Sequence, residues 1–244
     1  MRLVVLGNPD RYLAPLSGGS GYLVEAGDAA LLLDCGPGVH AAQPLRSAAP
    51  RVRGILLSHM HFDHCSDLLT VLAGLPAARL VLPPGGRGSA SRLGEAYGFT
   101  TPFDHQGGVD EAGDGWEAEI GPFRVRAAAT RHSAPSLAWR VEADGASLVY
   151  ASDTAPCDGL VRLAHGADAL LAHTLLPSVE AGSDHSTIHS TVETACEVAG
   201  EARVATLLLS HRFHEEPSDK FLATAKEGYL GRIVLLERGA VVEV

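Results

Sequence analysis

The segment Ser58-His-Met-His-Phe-Asp-His64 constrains this chain more than any other feature of its sequence. It places three imidazoles and a carboxylate directly after an apolar, strand-like run and before a helix-like one. In an extended segment, residues two positions apart point the same way, so His59 and His61 face together. Asp63 and His64 enter a turn and can face elsewhere. Nitrogen and oxygen ligands of this kind suit zinc. The segment therefore predicts one short loop that serves two metal ions.

A single histidine is more often a surface or capping residue than a metal ligand. The His-x-His-x-Asp-His spacing on a strand-to-helix loop rarely arises by chance, so here we favour metal binding.

Short apolar and β-branched runs alternate with helix-like segments along the chain, which predicts a mixed α/β fold in a single domain, residues 1–244. The predicted strands are 3–6, 22–25, 30–33, 54–57, 80–82, 123–127, 137–141, 148–150, 169–171, 205–209, 233–236 and 241–244. The predicted helices are 39–48, 66–73, 91–97, 159–164, 191–199 and 218–229. We interpret the Gly-rich segments 7–21, 83–88 and 107–115 as surface loops.

Two pairs of predicted strands end in the same way. The strands 54–57 and 205–209 are each followed by Ser-His, at His59 and His211. The strands 30–33 and 148–150 each lead to an aspartate, Asp34 and Asp153. The repetition predicts two similar halves that bring four strand ends to one edge.

The composition indicates where in the cell the protein acts and which partners it disfavours. The longest apolar runs fall short of the ~18 residues of a membrane span, and the first residues lack a signal-peptide pattern, which predicts a cytoplasmic protein. The four cysteines form no C-x-x-C pair, so we expect free thiols. A net charge of −10 disfavours long nucleic acid, which normally binds clustered Lys and Arg.

The spacing His59-x-His61-x-Asp63-His64 resembles the signature of the metallo-β-lactamase superfamily, and the resemblance extends in order over nearly the whole chain. It implies an α/β fold, a four-layer αββα sandwich of two mixed β-sheets flanked by helices. By similarity, one zinc takes His59, His61 and His132, the other takes Asp63, His64 and His211, and Asp153 lies between them. The same ligands can hold Mn²⁺ or Fe.

Other motifs are similar to the ribonuclease Z-like branch of that superfamily. They are the segments 20–24, 31–38 and 135–140, and His189-Ser-Thr191. The resemblance implies that Asp63 binds metal and orients or deprotonates the nucleophile, while His189 stabilises or protonates the reacting phosphate. His185-Ser-Thr187 is a near-duplicate, but the helix-like run 191–199 follows His189 at the family spacing. A homodimer is expected from the resemblance.

The chain departs from that branch in two places. Members that process tRNA carry a long arm between the positions of His132 and Asp153, which here lie only 21 positions apart, leaving room for two strands and a turn. The branch usually has a glutamate where this chain has His173-Thr174, so a carboxylate that orients a ligand imidazole is missing there. Asp34 is either such a partner or a turn residue at a strand end.

These features favour a dinuclear zinc phosphodiesterase that acts on a small substrate, such as a cyclic nucleotide or a short oligonucleotide. The first alternative is a tRNA 3′-processing endonuclease of the ribonuclease Z type. A third alternative is hydrolysis of a thioester, a lactam or a sulfate ester, which uses the same metals. A non-catalytic binding module would tolerate the loss of ligands, whereas every expected ligand position is filled.

Overall fold

Two mixed β-sheets form the frame of the protein, whose computed structural model describes residues 1–8, 18–98, 105–176, 178, 187–212 and 217–244. The first sheet has the order β14-β1-β2-β3-β4-β5-β6. Its strands are β1 (Arg2–Gly7), β2 (Gly21–Ala26), β3 (Ala29–Leu33), β4 (Val52–Leu56), β5 (Arg79–Leu82), β6 (Val109–Glu111) and β14 (Val241–Glu243). The pairs from β14 to β3 are antiparallel, and those from β3 to β6 are parallel.

The second sheet has the order β13-β12-β11-β10-β9-β8-β7. Its strands are β7 (Glu117–Ile120), β8 (Phe123–Ala129), β9 (Leu137–Ala143), β10 (Ala146–Ser152), β11 (Ala169–His173), β12 (Thr206–Ser210) and β13 (Arg232–Leu235). The pairs from β7 to β10 are antiparallel, and those from β10 to β13 are parallel. Each sheet therefore combines an antiparallel part with a parallel part.

Helices cover the outer faces of both sheets. They are α1 (Gln43–Ala48), α2 (Phe62–Cys65), α3 (Leu68–Gly74), α4 (Gly86–Ala96), α5 (Asp158–Ala164), α6 (Val192–Glu201) and α7 (Ser218–Gly228), and a 3₁₀ turn, Ala49–Arg51, follows α1. Thr191 starts α6 with a capping box, because its side chain and that of Thr194 each accept a hydrogen bond from the other's backbone N–H. In the described part of the chain, each helix is too short or too polar to cross a membrane.

Three layers of buried side chains hold these elements together. The central one lies between the sheets and includes Tyr22, Phe123 and Trp139. A second packs α1, α3 and α4 on the first sheet, and a third packs α5, α6 and α7 on the second. The result is the four-layer αββα sandwich of two mixed sheets that the resemblance implied.

Each predicted strand overlaps an observed one, but the sequence analysis missed β6 and β7. The segments 83–88 and 107–115 are not loops throughout, since α4 begins at Gly86 and β6 lies within the second segment. Most of the third predicted loop, residues 9–17, lies outside the described residues. Both strands are short and polar and lie at the sheet edges, so neither has the apolar run that identifies a buried strand. The predicted helix 39–48 begins only at Gln43, directly before a proline that suits a first helical turn.

The central layer should dominate stability. Phe123 is completely buried between the sheets, and Phe123→Ala should lower the free energy of unfolding by roughly 3–5 kcal/mol. Leu230→Ala is the control, because Leu230 is fully exposed and its truncation should change stability by less than about 0.5 kcal/mol. Urea unfolding followed by circular dichroism measures both. Equal midpoints for the two variants would contradict this packing.

Candidate metal centre

The carboxyl ends of five strands meet at one edge of the sandwich. In each sheet the strands concerned run parallel, so they end on the same side. Hydrogen bonds join the ends across the sheets, for example from the Ser152 hydroxyl to the Ser58 hydroxyl. The predicted meeting of four strand ends is therefore confirmed, and β11 adds a fifth. The side chains brought together at this edge are Asp34, His59, Asp153, His173 and His211.

Three residues at these ends have a left-handed backbone. The φ angles are 56° at Asp34, 56° at Ser152 and 58° at His211. Residues other than glycine adopt this conformation rarely, and such strain often lies at functional sites. Here it turns the chain sharply as each strand ends.

One group of imidazoles contains His59, His61 and His132. The Nδ1 atom of His61 lies 3.1 Å from Nε2 of His59 and 3.1 Å from Nε2 of His132. The structure thus brings together His132 and the two histidines of the loop, which are 71 positions away or more in sequence.

Hydrogen bonds fix the tautomers of two of these rings. The Ser58 hydroxyl donates its proton to Asp34, so the ring Nδ1–H of His59 donates to the Ser58 oxygen. The Nδ1–H of His132 donates to the carbonyl oxygen of Ile188. The Nε2 atoms of both rings face Nδ1 of His61, and that single nitrogen can form a hydrogen bond with only one of them at a time. Burial also lowers the pKa of His59 well below its usual value, which keeps that ring neutral. The three nitrogens therefore fit a divalent cation.

A second group surrounds two carboxylates. The Nε2 atom of His211 lies 3.3 Å from Asp63 and 3.8 Å from Asp153, and Nε2 of His64 lies 3.7 Å from each carboxylate. Ligand atoms of His64, Asp153, His173 and His211 all lie within 4.8 Å of one another, and so do those of Asp153, His132 and His189. Asp153 therefore borders both groups.

The charges in this second group complement one another. Burial by itself raises the pKa of Asp63. The hydrogen bond from His211 and the charge of His64 outweigh that effect and lower the pKa to about 2. Burial also acts on Asp153, yet His211 and His64 hold the pKa of that carboxyl well below its usual value. The two carboxylates stay ionised, and the pKa of His64 and that of His211 are raised despite burial, because Asp153 attracts their protons. A divalent cation would replace that positive charge.

Asp34 orients His64 from behind. Its carboxylate accepts hydrogen bonds from the Nδ1–H of His64, from the backbone N–H and hydroxyl of Ser58, and from the Tyr150 hydroxyl. The Nε2 atom of His64 is thereby left to face Asp63 and Asp153. Asp34 therefore has both of the roles that the sequence left open: it is a turn residue at a strand end, and it orients a ligand imidazole.

His173 was not among the predicted site residues. Its Nδ1–H donates to Asp153 at 2.8 Å, and its Nε2 faces the Tyr22 hydroxyl at 2.9 Å. Burial lowers the pKa of His173 to about 4, so the ring is neutral. The side chain that orients Asp153 is thus an imidazole, although the sequence analysis treated this position only as a missing glutamate. One sequence feature could have indicated that His173 belongs to the site: like His211, it lies at the end of an apolar strand.

His189 lies beside both groups. Its Nδ1 atom is 3.7 Å from Asp153, its ring centroid is 5.0 Å from that of His132, and the residue is half-buried. The alternative, His185, lies outside the described residues.

Comparison with known proteins identifies the family. Residues 30–212 match the family described as "Beta-lactamase superfamily domain". Ribonuclease Z from Mycobacterium bovis is 32% identical over 240 aligned positions, which cover 86% of this chain and 85% of the relative. The chain belongs to the ribonuclease Z family of the metallo-β-lactamase superfamily. Ribonuclease Z from Mycobacterium marinum is also 32% identical, with 96% and 95% of the two chains covered.

Solved structures agree on the fold. The metallo-β-lactamase fold protein YhfI from Bacillus subtilis has a TM-score of 0.82 at 23% identity, with 99% of this chain and 98% of that chain covered. The short form of human tRNase Z has a TM-score of 0.77 at 22% identity, with 100% and 99% covered. The family match and the ribonuclease Z relatives show that the chain is an enzyme, a metallo-hydrolase of the ribonuclease Z type. Its buried His/Asp cluster is suited to a divalent metal.

The Asp34 contact gives a prediction about metal affinity. Asp34→Asn should weaken metal binding roughly 10- to 100-fold, because His64 loses the carboxylate that orients it. Asp168→Asn is the matched control, since Asp168 also accepts from a serine backbone N–H and hydroxyl, those of Ser147, at the start of β10 and far from the site. Calorimetric titration of metal-free protein with Zn²⁺ measures both. Unchanged affinity in Asp34→Asn would rule out this role.

Proposed function

We propose that the chain is a dinuclear zinc phosphodiesterase that cleaves RNA. The observation that carries the proposal is the convergence of ring nitrogens and ionised carboxylates in two groups, with Asp153 in one group and within 4.8 Å of His132 in the other. The curated relatives named ribonuclease Z support an RNA substrate. One zinc would be held by His59, His61 and His132, the other by Asp63, His64 and His211, with Asp153 between them.

Zinc ions, when bound, act as Lewis acids that make water a nucleophile near neutral pH and stabilise negative charge on a phosphate. Asp63 supplies an ionised carboxylate whose Oδ2 atom lies 3.3 Å from Nε2 of His211, and it accepts the proton of the attacking water. The water oxygen forms a bond to phosphorus, and the bond from phosphorus to the leaving oxygen breaks. The leaving oxygen then takes a proton.

His189 is the side chain placed to give that proton. It lies 3.7 Å from Asp153 and beside His132 but belongs to neither proposed zinc shell, and it is half-buried, so part of the residue is accessible to a substrate. General acid catalysis of this kind contributes about 10²- to 10⁴-fold to the rate.

Replacing His189 should separate catalysis from metal binding. His189→Ala should lower kcat by about 10²- to 10⁴-fold while the zinc content stays that of the wild type. Asp63→Ala should lose both zinc and activity. His165→Ala is the control, because His165 is exposed after α5 and should leave both quantities unchanged. Zinc is measured by atomic emission and kcat with a short RNA. A His189→Ala enzyme with wild-type kcat would remove His189 from the mechanism.

A second candidate is a phosphodiesterase for small substrates such as cyclic nucleotides. The strands β9 and β10 pair directly and are joined at Asp144-Gly145, which confirms that only two strands and a turn lie between His132 and Asp153. An arm that grips tRNA is therefore missing at this place. The net charge of −10 also disfavours a long RNA as the substrate.

One comparison separates the two candidates. Zinc-loaded enzyme is given a precursor tRNA, a short single-stranded RNA and 3′,5′-cyclic AMP, with Asp63→Ala as the blank for contaminating nucleases. We expect cleavage of at least one of the two RNAs. Cleavage of cyclic AMP alone would replace our proposal by the second candidate. If zinc binds and all three substrates stay intact, both candidates are wrong, and thioesters, lactams and sulfate esters come next.

A further inference from the structure

An exposed aromatic side chain lies within the metal-binding loop. Phe62 is 63% exposed and occupies the position between His61 and Asp63, so its Cα lies about 3.8 Å from that of each candidate ligand. Among the described residues, four large hydrophobic side chains are exposed, and the others are Tyr97, Leu230 and Val241. Of these four, Phe62 is the one that adjoins the site.

The backbone beneath Phe62 is tightly fixed. The carbonyl oxygen of Asp63 accepts a hydrogen bond from the Ser20 N–H at 2.8 Å, and that of His64 accepts one from the Cys35 N–H at 2.8 Å. Two glycines pack so closely here that a Cβ on Gly19 or Gly36 would lie only 2.5 or 1.9 Å from the Asp63 carbonyl oxygen. These contacts hold the loop backbone in the position that leaves Phe62 exposed.

The inner face of the same helical turn is already filled by His64 and Cys65, both buried. Single exposed aromatic side chains are common on protein surfaces, so exposure alone argues nothing. The position of Phe62 is what matters. The residues on either side of it, His61 and Asp63, are only partly buried, so candidate ligands next to Phe62 are themselves accessible to a substrate.

We propose that Phe62 stacks on the nucleobase next to the cleaved phosphodiester bond. The proposal rests on the proposed function and adds to it how the substrate is held. A chain with a net charge of −10 gains little from attraction to phosphates, whereas stacking on a base needs no charge and tolerates every base. A rigid ring beside the metal groups would fix the nucleotide and so the phosphate attached to it.

The test uses a short RNA that the wild type cleaves, and two copies of it in which the nucleotide on one or the other side of the cleaved bond is abasic. Phe62→Ala should raise KM for the intact RNA about tenfold and leave zinc content unchanged. Phe62→Leu should resemble Phe62→Ala, because it keeps an apolar side chain without a ring, and Phe62→Trp should retain a wild-type KM. One of the two abasic RNAs should be cleaved with the same KM by the wild type and by Phe62→Ala.

Tyr97→Ala is the matched control. Tyr97 is also exposed, and it directly follows α4. Because β5 and β6 are parallel, the connection between them must return from the carboxyl end of β5 to the start of β6, and α4 forms part of that return. Tyr97 therefore lies at the opposite edge from the metal groups, and its replacement should leave KM unchanged.

The outcomes distinguish the two proposals. If the wild type cleaves RNA but Phe62→Ala matches it, or is equally impaired on both abasic RNAs, stacking is wrong and the proposed function stands. If the wild type cleaves only cyclic AMP, the RNA proposal is wrong, and the same comparison is made with base-free ribose 3′,5′-cyclic phosphate. If no phosphodiester is cleaved, both proposals are wrong.

Discussion

The buried carboxylate of Asp34 is the contact on which the site depends. It ends β3 in the first sheet and accepts hydrogen bonds from the metal-binding loop through His64 and from the second sheet through Tyr150. A buried charge is costly unless several donors satisfy it, and here Ser58 adds two more. This one side chain thus links both sheets to the metal-binding loop and orients His64, one of the candidate ligands.

A second polar contact repeats this arrangement on the other side of the site. Tyr22 in the first sheet joins His173 and Ser210 in the second, and His173 holds Asp153. Each sheet therefore orients residues that belong to the other. His173 is part of this exchange, because its neutral imidazole donates to Asp153 while its other nitrogen faces Tyr22.

How far the sequence predicts this arrangement depends on how many positions separate the interacting residues along the chain. The group from His59 to His64 is visible because its spacing is local, and the strands with apolar runs were found for the same reason. His132 was placed only through resemblance to a family, whereas His211 was also indicated by the Ser-His that follows its strand. Tyr22 was not assigned to the site, because its contact with His173 joins residues 151 positions apart and a tyrosine in an apolar strand looks like core. The strands β6 and β7 were missed because polar edge strands carry no pattern.

The ligands of the proposed metal sites come from both sheets, and this links binding to folding. An ion that binds only the folded chain stabilises it by an amount that grows with the logarithm of the free ion concentration. The metal would then act as a removable cross-link between the two halves of the sandwich. The supply of metal would set the lifetime of the folded protein as well as its activity, so apoprotein would be the form most exposed to proteolysis.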